Sequence, residues 1–354
     1  MSVYFAGRGL ACALGLDVAA SVAALDGDAP VRMVDLDDFG RFPYRPIPFD
    51  MAAWYARART LIERVVAEAG GNAVRHAPLL VASSSLDVGA AEANPADFIP
   101  DCTAFAQRIA EWLDWRGPVF AVATACTSSI NAILAARDMI DAGSADDALV
   151  LGVELGNTFT LRGFAAMQLL APSRAQPFGA TRNGLVLGEA VAALRLSRTH
   201  SRWRLAGGAN VVDGTDPAGA SHEAVCAMAQ RTLADAGVDA ASVSLIKAQA
   251  AGSPGNDATE AHALRSVFGP DVAVTSFKHV MGHTLGASGA AELALLTASI
   301  EGGVLPRADY AFDDALGCAL AEHLPRSRYV LVDILGFGGG HAAVLLQDCE
   351  APDA

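Results

Sequence analysis

Short apolar runs alternate with segments of helical periodicity along most of the 354-residue chain. The apolar run at residues 119–123 predicts a buried strand, and the i, i+3, i+4 spacing over residues 130–140 predicts a helix that packs on one face. Residues 28–50 interrupt the pattern with prolines and aspartates, which predicts a surface loop. The further predicted strands lie at residues 3–15 (a strand and a glycine turn), 79–83, 148–153, 184–196 (a strand pair), 205–212, 243–248, 273–276, 329–335 and 342–346. The further predicted helices lie at residues 17–25, 51–70, 105–115, 221–237, 257–268 and 287–301.

This alternation falls into two parts, which are separated by the polar connector SRTHSRWR at residues 197–204. Each part contains a strand, a turn of small residues and a helix. The sequence ATACTSS precedes residues 130–140, and VTSFKHVMGHTLGASG precedes residues 287–301. The echo predicts an α/β protein of two similar halves, residues 1–198 and 199–354, with a site between them.

Composition narrows the class of protein. Hydrophobic residues make up 52% and charged residues 18% of the chain, which is typical of a compact α/β enzyme. The formal net charge of −14, without any long basic run, argues against nucleic acid as a general partner. No run reaches the roughly 18 apolar residues of a membrane span. The N-terminus lacks the basic region of a signal peptide, so we expect a cytoplasmic protein.

The six cysteines are scattered along the chain and form neither a disulfide framework nor a zinc-binding pattern. The sequence also contains no GxxxxGK[ST] loop and no HExxH helix, so we expect no metal and no nucleotide cofactor. We therefore expect reduced thiols, among which Cys126 alone has a setting that favours chemistry.

Cys126 lies at the predicted strand-to-helix turn, among small residues. Unpaired backbone N–H groups and the positive end of the helix dipole stabilise a thiolate at such a turn. The small neighbours leave room for a substrate carbonyl to approach the sulfur. A buried, unreactive cysteine is the alternative interpretation.

Three further segments place polar groups or bare amides next to predicted strands. His283 stands among glycines before a helix, where a neutral imidazole can donate to a developing oxyanion and Lys278 can hold charge nearby. Alternatively, His283 is a satisfied polar group, as we expect His279 to be. Residues 247–257 form a strand end, a turn and a helix cap, or an ordinary loop. The glycine-rich residues 336–341 line an oxyanion hole or form a tight turn.

Taken together, these segments resemble the β-ketoacyl-acyl-carrier-protein synthases of the thiolase superfamily. The resemblance spans nearly the whole chain and includes the order and spacing of the motifs. It implies a thiolase-like duplicated fold of five α-β-α-β-α layers and a dimer formed through the nucleophile-side strands. The matching motifs, in chain order, are ATACTSS, GFAAMQLLAPSRAQPFGATRNGLVLGEA, LADAG, SPGNDATEAHAL, SFKHVMGHTLGASGAAE and GFGGGHA.

The resemblance implies a role for individual residues. Cys126 falls on the acyl-accepting nucleophile and His283 on the second histidine of the Cys-His-His set. Lys278 and Glu260 fall on the charged residues that support this histidine. The amides of Cys126 and Phe337 fall on the oxyanion hole. The Phe337 side chain falls on the gate for malonyl and acyl entry, and Gly338 lies in the glycine-rich oxyanion loop. Phe164 and Thr103 fall on acyl-pocket positions.

The sequence departs from the family pattern at several positions. Gln249 takes the place of the first catalytic histidine, and its amide can donate a hydrogen bond to an enolate but has no titrating nitrogen. His341 stands where the family usually has asparagine and is a candidate auxiliary imidazole. Gly179 and Asn183 replace family aspartates, and the segment at residues 86–95 is shorter than in the family.

Three functions are open at this point. The first is an active condensing enzyme, which loads an acyl group on Cys126 and joins it to the enolate formed by decarboxylation of malonyl carrier. The second is a chain-length-factor-like partner subunit of a competent ketosynthase, which the change at Gln249 favours. The third is an acyltransferase or hydrolase that uses Cys126 without decarboxylation, since acyl transfer needs the nucleophile and the oxyanion hole but no decarboxylating pair.

The resemblance also implies partners. An acyl carrier protein presents the substrate on its phosphopantetheine, the chain binds no cofactor of its own, and the dimer is a homodimer or a heterodimer with a second ketosynthase. Carrier proteins are acidic, so docking to a chain of net charge −14 requires a local basic patch. Arg57, Arg59 and Arg64 are candidates for this patch, or else they are solvated surface charges.

Overall fold

A computed structural model describes residues 2–27, 30–93, 101–214, 216–326 and 328–351. The strands are β1 (Val3–Cys12), β2 (Arg32–Asp35), β3 (Arg41–Arg45), β4 (Leu79–Ala82), β5 (Val119–Val122), β6 (Asp147–Glu154), β7 (Leu187–Gly188), β8 (Ala190–Ser197), β9 (Trp203–Val212), β10 (Val243–Lys247), β11 (Ala273–Thr275), β12 (Tyr329–Leu335) and β13 (Gly340–Asp348). The helices are α1 (Val18–Ala23), α2 (Trp54–Glu68), α3 (Val88–Ala93), α4 (Cys102–Trp112), α5 (Ser128–Asp141), α6 (Thr158–Ala166), α7 (His222–Ala236), α8 (Pro254–Phe268), α9 (Lys278–Met281) and α10 (Ser288–Glu301).

Ten strands form one hydrogen-bonded sheet, and the order of the strands in its C-terminal half mirrors the order in its N-terminal half. The C-terminal strands run β11-β10-β12-β13-β9, and the N-terminal strands continue as β1-β8-β6-β4-β5. In each half, the first three strands from the outer edge pair parallel and the remaining pairs are antiparallel. The halves join where β1 pairs with β9, at Val3 with Leu205 and at Tyr4 with Arg204. The two halves therefore share one topology.

Helices α5 and α10 form the central layer. Helix α5 contacts β4 and β6 of one half and β9 and β13 of the other, and α10 contacts β1, β6 and β8 as well as β12. Every residue of α10 from Ser288 to Ile300 is buried, because this helix has protein on all sides. Helices α2 and α4 cover the outer side of the N-terminal half, and α7, with α8 packed on it, covers the C-terminal half. The predicted five-layered thiolase-like α/β fold is confirmed.

The prediction of a surface loop at residues 28–50 is wrong. Strands β2 and β3 pair antiparallel, and β3 pairs with β7 to form a separate three-stranded sheet. Strands of four and five residues are too short for an alternation of apolar and polar positions to be clear. Pro43 lies in β3 and is uncommon inside strands, so it made β3 harder to predict from the sequence.

Several predicted boundaries shift by a few residues. The helix predicted at residues 51–70 is α2, and the one predicted at 105–115 is α4. The division between residues 198 and 199 stays a prediction, and it falls in the connection between β8 and β9. The shortened segment at residues 86–95 contains α3, and its last two residues lie outside the described residues. In the part of the chain that the structure describes, no helix has the length and hydrophobicity needed to cross a membrane.

Candidate active site

The turn between β5 and α5 fixes the position of Cys126. Ala125 has a φ of +51°, in the left-handed region, so the chain reverses sharply just before the cysteine. The Thr127 hydroxyl donates to the Thr124 carbonyl at 2.7 Å. The Ser128 hydroxyl donates to the Ala125 carbonyl at 2.6 Å. These two hydrogen bonds hold the elbow, in which Cys126 is 4% exposed.

The C-terminal half brings an imidazole to this sulfur. His283 Nε2 lies 3.1 Å from Cys126 Sγ. The backbone N–H of His283 donates to the Val186 carbonyl at 2.7 Å, and Ser288 Oγ lies 3.2 Å from the other ring nitrogen. Both the backbone and the ring of His283 are therefore fixed. The structure thus joins into one pair the two residues that the sequence analysis singled out on separate halves.

Burial determines the protonation states of this pair. It raises the pKa of Cys126 to about 11, although the Phe337 amide and the Lys278 charge act in the opposite direction. Burial, together with the charges of Lys278 and Lys247, holds the pKa of His283 well below its ordinary value. At neutral pH the pair is a thiol beside a neutral imidazole. The expectation that the helix end makes this thiol acidic is wrong, because desolvation of a thiolate outweighs the nearby amides.

A buried ion triad supports the site from the C-terminal half. Glu292 lies between Lys247 and Lys278, and none of the three side chains is exposed. Lys247 Nζ lies 2.7 Å from Glu292 Oε2, and Lys278 Nζ bonds to Glu292 Oε1. Burial alone would raise the pKa of Glu292, but the two ammonium groups hold it below its ordinary value. Burial lowers the pKa of Lys278 to about 8, although Glu292 opposes this shift.

Sequence reasoning missed Glu292, the carboxylate that binds Lys278, and expected Glu260 to support His283 together with Lys278. The sequence contained a signal for it, since Glu292 is the one charged residue in the stretch SGAAELALLTASI. A charge on an otherwise apolar, buried helix requires a partner of opposite charge. Glu260 lies on α8 instead and binds the turn that carries Gln249.

Gln249 follows β10, and it lines the same cavity as Cys126. Its backbone N–H donates to Glu260 Oε1 and to Asp333 Oδ1, at 2.7 Å each. The Ala250 N–H donates to Glu260 Oε2 at 2.8 Å. Among the described residues, no group donates to the side-chain oxygen of Gln249. The backbone of Gln249 is therefore fixed, and its amide oxygen is left without a partner.

The cavity at Cys126 is narrow in this structure. Its volume is about 30 Å³, which is room for one or two water molecules and not for an acyl chain. The rings of Phe164 and Phe337 both line it and stack on each other, with centroids 5.4 Å apart and an angle of 15° between their planes. An acyl chain therefore needs more room at Cys126 than the cavity offers in this structure, and Phe337 as the gate stays a prediction. The complete lining consists of Cys126, Phe164, Leu185, Gln249, Ala251, Ser253, Asn256, Asp257, Glu260, His283, Leu335 and Phe337.

Backbone amides face the sulfur from two sides. The N–H groups of Phe337 and Cys126 both lower the pKa of the thiol against the larger effect of burial. The N–H of Gly338 donates to the Pro217 carbonyl at 2.8 Å. The N–H of Gly338 is therefore already engaged, and the amides of Cys126 and Phe337, which act on the thiol, stay the predicted oxyanion donors.

Two further candidates do not line this cavity. Thr103 is exposed in the first turn of α4, in the outer layer and away from the central helices. His341 lies in β13, is 1% exposed, and has no hydrogen-bond partner on either ring nitrogen among the described residues. Burial lowers the pKa of His341. The expected acyl-pocket contact of Thr103 and the expected second imidazole are thus absent from the Cys126 cavity of this chain.

The three arginines of α2 do not form one exposed patch. Arg57 points inward, where its guanidinium binds the Glu189 carboxylate at 2.6 and 2.8 Å and its side chain is 12% exposed. The expectation that Arg57 is available to a partner is therefore wrong. Arg59 and Arg64 are about half exposed. They form ion pairs with Glu63 and Asp17, respectively.

The duplicated five-layered fold around a buried Cys-His pair defines a thiolase-like protein. Residues 83–201 match the N-terminal domain model of β-ketoacyl synthase, and residues 204–309 match the C-terminal domain model. Together these matches span more than half of the chain. The chain belongs to the β-ketoacyl synthase family.

The chain is also similar to individual proteins. Nodulation protein E of Rhizobium meliloti is 35% identical over 266 residues, which cover 69% of this chain and 65% of that protein. The 3-oxoacyl-[acyl-carrier-protein] synthase 2 of Coxiella burnetii is 29% identical over 262 residues, which cover 66% of this chain and 63% of that protein. The match thus spans less than two thirds of the length of these relatives. The fold is also similar to that of one chain in the structure of the ketosynthase ApeO in complex with its chain length factor ApeC from Xenorhabdus doucetiae, with a TM-score of 0.88, 23% identity and 98% coverage of both chains compared.

Proposed function

We propose that this chain is a condensing enzyme of the β-ketoacyl-acyl-carrier-protein synthase type, active in fatty-acid or polyketide synthesis. The observation that carries the proposal is the 3.1 Å contact between Cys126 Sγ and His283 Nε2. This pair lines a narrow cavity that Gln249 also lines. A nucleophile, a base and a neutral hydrogen-bond donor thus share one cavity.

In the first half-reaction, the Cys126 sulfur attacks the thioester carbonyl of an acyl carrier. His283 Nε2 takes the thiol proton and then gives it to the departing pantetheine sulfur, so the imidazole is neutral before and after the step. The N–H groups of Cys126 and Phe337 stabilise the oxyanion. Such a base is needed because a thiol with a pKa of about 11 provides little thiolate at neutral pH.

In the second half-reaction, a malonyl carrier loses carbon dioxide, and the electrons of the broken C–C bond form a thioester enolate. The Gln249 amide donates an N–H to the enolate oxygen, and the His283 imidazole donates to it in the tautomer that carries the ring proton on Nε2. The enolate carbon attacks the acyl carbonyl on Cys126, whose sulfur leaves as a thiolate and takes up a proton from water. Gln249 serves this step because stabilisation of the enolate requires a donor and not a titrating group.

The carrier protein brings the prosthetic group, phosphopantetheine, to the site. In the described ranges, no group of three or more His, Cys, Asp or Glu side chains could hold a metal ion. The mechanism uses no group beyond the carrier's own thiol. Arg59 and Arg64, which remain on the solvent side of α2, are the proposed contacts for the acidic carrier.

The free edge of β5 supports a dimer. This strand pairs with β4 on one side, and no other described strand pairs with it. Phe120 in β5 is 40% exposed. An uncovered strand edge with an exposed aromatic side chain is a template for pairing with another chain. We therefore assign the dimer contact to β5, with a second copy or a second ketosynthase as the partner.

A chain-length-factor-like partner subunit is the second candidate function. Gln249 favours it, because the cavity lacks one of the two imidazoles of the family. The fold allows this candidate, since one chain in a complex of a ketosynthase with its chain length factor has the same fold. The preserved pair of Cys126 and His283 supports the condensing enzyme.

Release of labelled carbon dioxide from a malonyl carrier, in the presence of an acyl carrier, separates these functions. A condensing enzyme releases it alone and forms β-ketoacyl carrier, and the Gln249→His variant then tests whether an imidazole increases the rate. A partner subunit releases carbon dioxide only together with a second ketosynthase. Acylation of Cys126 without any release identifies an acyltransferase. The Cys126→Ala variant is the control for product formed by another route.

A further inference from the structure

Two carboxyl groups meet at the backbone of Gln249. Glu260 comes from α8 and Asp333 from β12, and both accept a hydrogen bond from the same N–H at 2.7 Å. Glu260 is 1% exposed and Asp333 is not exposed at all. Oxygens of two acidic groups are therefore neighbours in a buried part of the chain.

Two buried oxygen atoms near this pair have no hydrogen-bond donor. Asp333 Oδ2 is buried without a partner, and so is the side-chain oxygen of Gln249, among the residues that the structure describes. Buried acceptors without donors are rare, because each loses its hydration without compensation. One proton on the carboxyl pair supplies a donor at this place.

The surrounding charges favour Glu260 as the holder of that proton. Burial and the neighbouring Asp333 charge hold the pKa of Glu260 well above its ordinary value. Burial also raises the pKa of Asp333, but the Lys247 charge opposes this shift and stabilises the anion. The titratable groups that face the pair are Lys247, Asp257, Glu292 and Cys318.

We propose that Glu260 and Asp333 share a single proton, held on Glu260, and that the protonated pair positions Gln249. The inference rests on the proposed function, in which the Gln249 amide donates to an enolate. With the proton in place, Glu260 donates to Asp333 and both carboxyl groups still accept the Gln249 N–H. When the proton is lost, two adjacent anions repel each other in a buried region. The pair then no longer holds the Gln249 N–H in one position, whereas Ala248 and Ala251 keep their own hydrogen bonds to Thr275 and Asp257.

The pair makes the position of Gln249 depend on pH, although the Gln249 amide itself does not titrate. The decarboxylation step depends on Gln249 and is lost when the pair ionises at high pH. The loading of Cys126 uses His283 and the backbone amides instead, so it does not follow the ionisation of the pair. A difference between the two pH profiles is therefore the signature of Glu260 and Asp333 as positioning residues.

Infrared spectroscopy of the full chain at pH 7 tests the shared proton without any substrate. We expect the carbonyl stretch of a protonated carboxyl group in the wild type and its loss in both Glu260→Gln and Asp333→Asn. Asp257→Asn is the matched control. Asp257 lines the same cavity but accepts hydrogen bonds from backbone amides, and the band remains in this variant. A wild type without the band, or a band that survives in Asp333→Asn, would overturn the proposal.

The pH profile of carbon dioxide release tests the positioning role. In the wild type, we expect the rate to fall about tenfold per pH unit above the pKa of the pair, as for the loss of one proton. Glu260→Gln, which is neutral at every pH, lowers the maximal rate and removes this decline. An identical decline in Glu260→Gln contradicts the proposal. If the wild type releases no carbon dioxide at all, the proposed function fails, and the infrared band still decides whether the proton is shared.

Discussion

The two halves contain the same elbow with different chemistry. Ala125 and Leu285 have φ angles of +51° and +47°, and each begins a short 3₁₀ turn that leads into a helix of 14 residues. The first helical residues, Ser128 and Ser288, both have φ −51° and ψ −49°. The duplication thus preserved the backbone, including its unfavourable positive φ, in both halves.

The side chains at the two elbows differ because their neighbours differ. Cys126 faces the substrate cavity, whereas its counterpart is Gly286. A Cβ at Gly286 would lie 2.7 Å from Ser84 N and 2.8 Å from Glu154 Oε1, closer than real Cβ contacts. The second elbow therefore packs without a side chain, and His283, which lies two residues before Leu285, reaches the sulfur. One half supplies the nucleophile, and the other supplies the base and the buried charges.

The largest effect is expected from removal of the base. His283→Ala should slow the acylation of Cys126 by about 10²–10⁴-fold, because the thiol then has no proton acceptor. Since the pKa of His283 lies well below its ordinary 6.5, the wild-type rate should stay level as the pH falls from 8 to 6.5. Single-turnover acylation measures both effects.

His279→Ala is the matched control for this variant. His279 bonds to the Arg307 carbonyl and does not line the cavity, so its loss should leave the acylation rate unchanged. An equal fall in rate for His279→Ala and His283→Ala would contradict the division of roles.

The ion triad of the C-terminal half is next in expected size. Glu292→Gln leaves the buried ammonium groups of Lys247 and Lys278 without a carboxylate. The free energy of unfolding should fall by about 3–5 kcal/mol, as for a buried ion pair that loses one partner. Denaturant titration measures it, with Glu63→Gln as the control. Glu63 forms an exposed pair with Arg59, and its replacement should cost less than about 1 kcal/mol.

The packing of the second elbow gives a smaller effect. Gly286→Ala should lower the free energy of unfolding by about 1–3 kcal/mol, because the added methyl group overlaps backbone and carboxylate atoms. Gly163→Ala in α6 is the control, since a Cβ there meets no atom within 4 Å. Equal stability of the two variants would show that the second elbow has room for a side chain.

The strain at the first elbow gives the smallest effect. Ala125→Gly relieves about 1–2 kcal/mol of left-handed strain and loses about 0.5–1 kcal/mol to the greater freedom of the unfolded chain. We expect a net gain in stability of at most about 1 kcal/mol by denaturant titration. A loss of stability would show that the surroundings had already relaxed the strain.

The sequence was informative where local pattern determines structure. Cys126 and His283 stand among small residues between an apolar run and a helix, so their turns were predictable. The mirror order of the strands follows from the repeated alternation of strand, turn and helix. The motifs, taken in order, then identified the family, and with it the layers of the fold.

The other features of the site depend on contacts between residues that are far apart in the sequence. The helical pattern predicted that Arg57 is exposed, but its side chain points inward because it binds Glu189, which is 132 residues away in the sequence. The pairing of Lys278 with Glu292 required the position of α10, and the stacking of Phe164 on Phe337 required both halves together. The raised pKa of Cys126 results from enclosure, which the sequence of one elbow does not encode.

The mass of the intact chain after incubation with an acyl carrier tests the central claim most directly. We predict a gain of one acyl group, located on Cys126 and absent in Cys126→Ala, while Cys226→Ser, a change at a thiol outside the cavity, is acylated like the wild type. A chain that gains no mass, either alone or together with a second ketosynthase, would contradict the account.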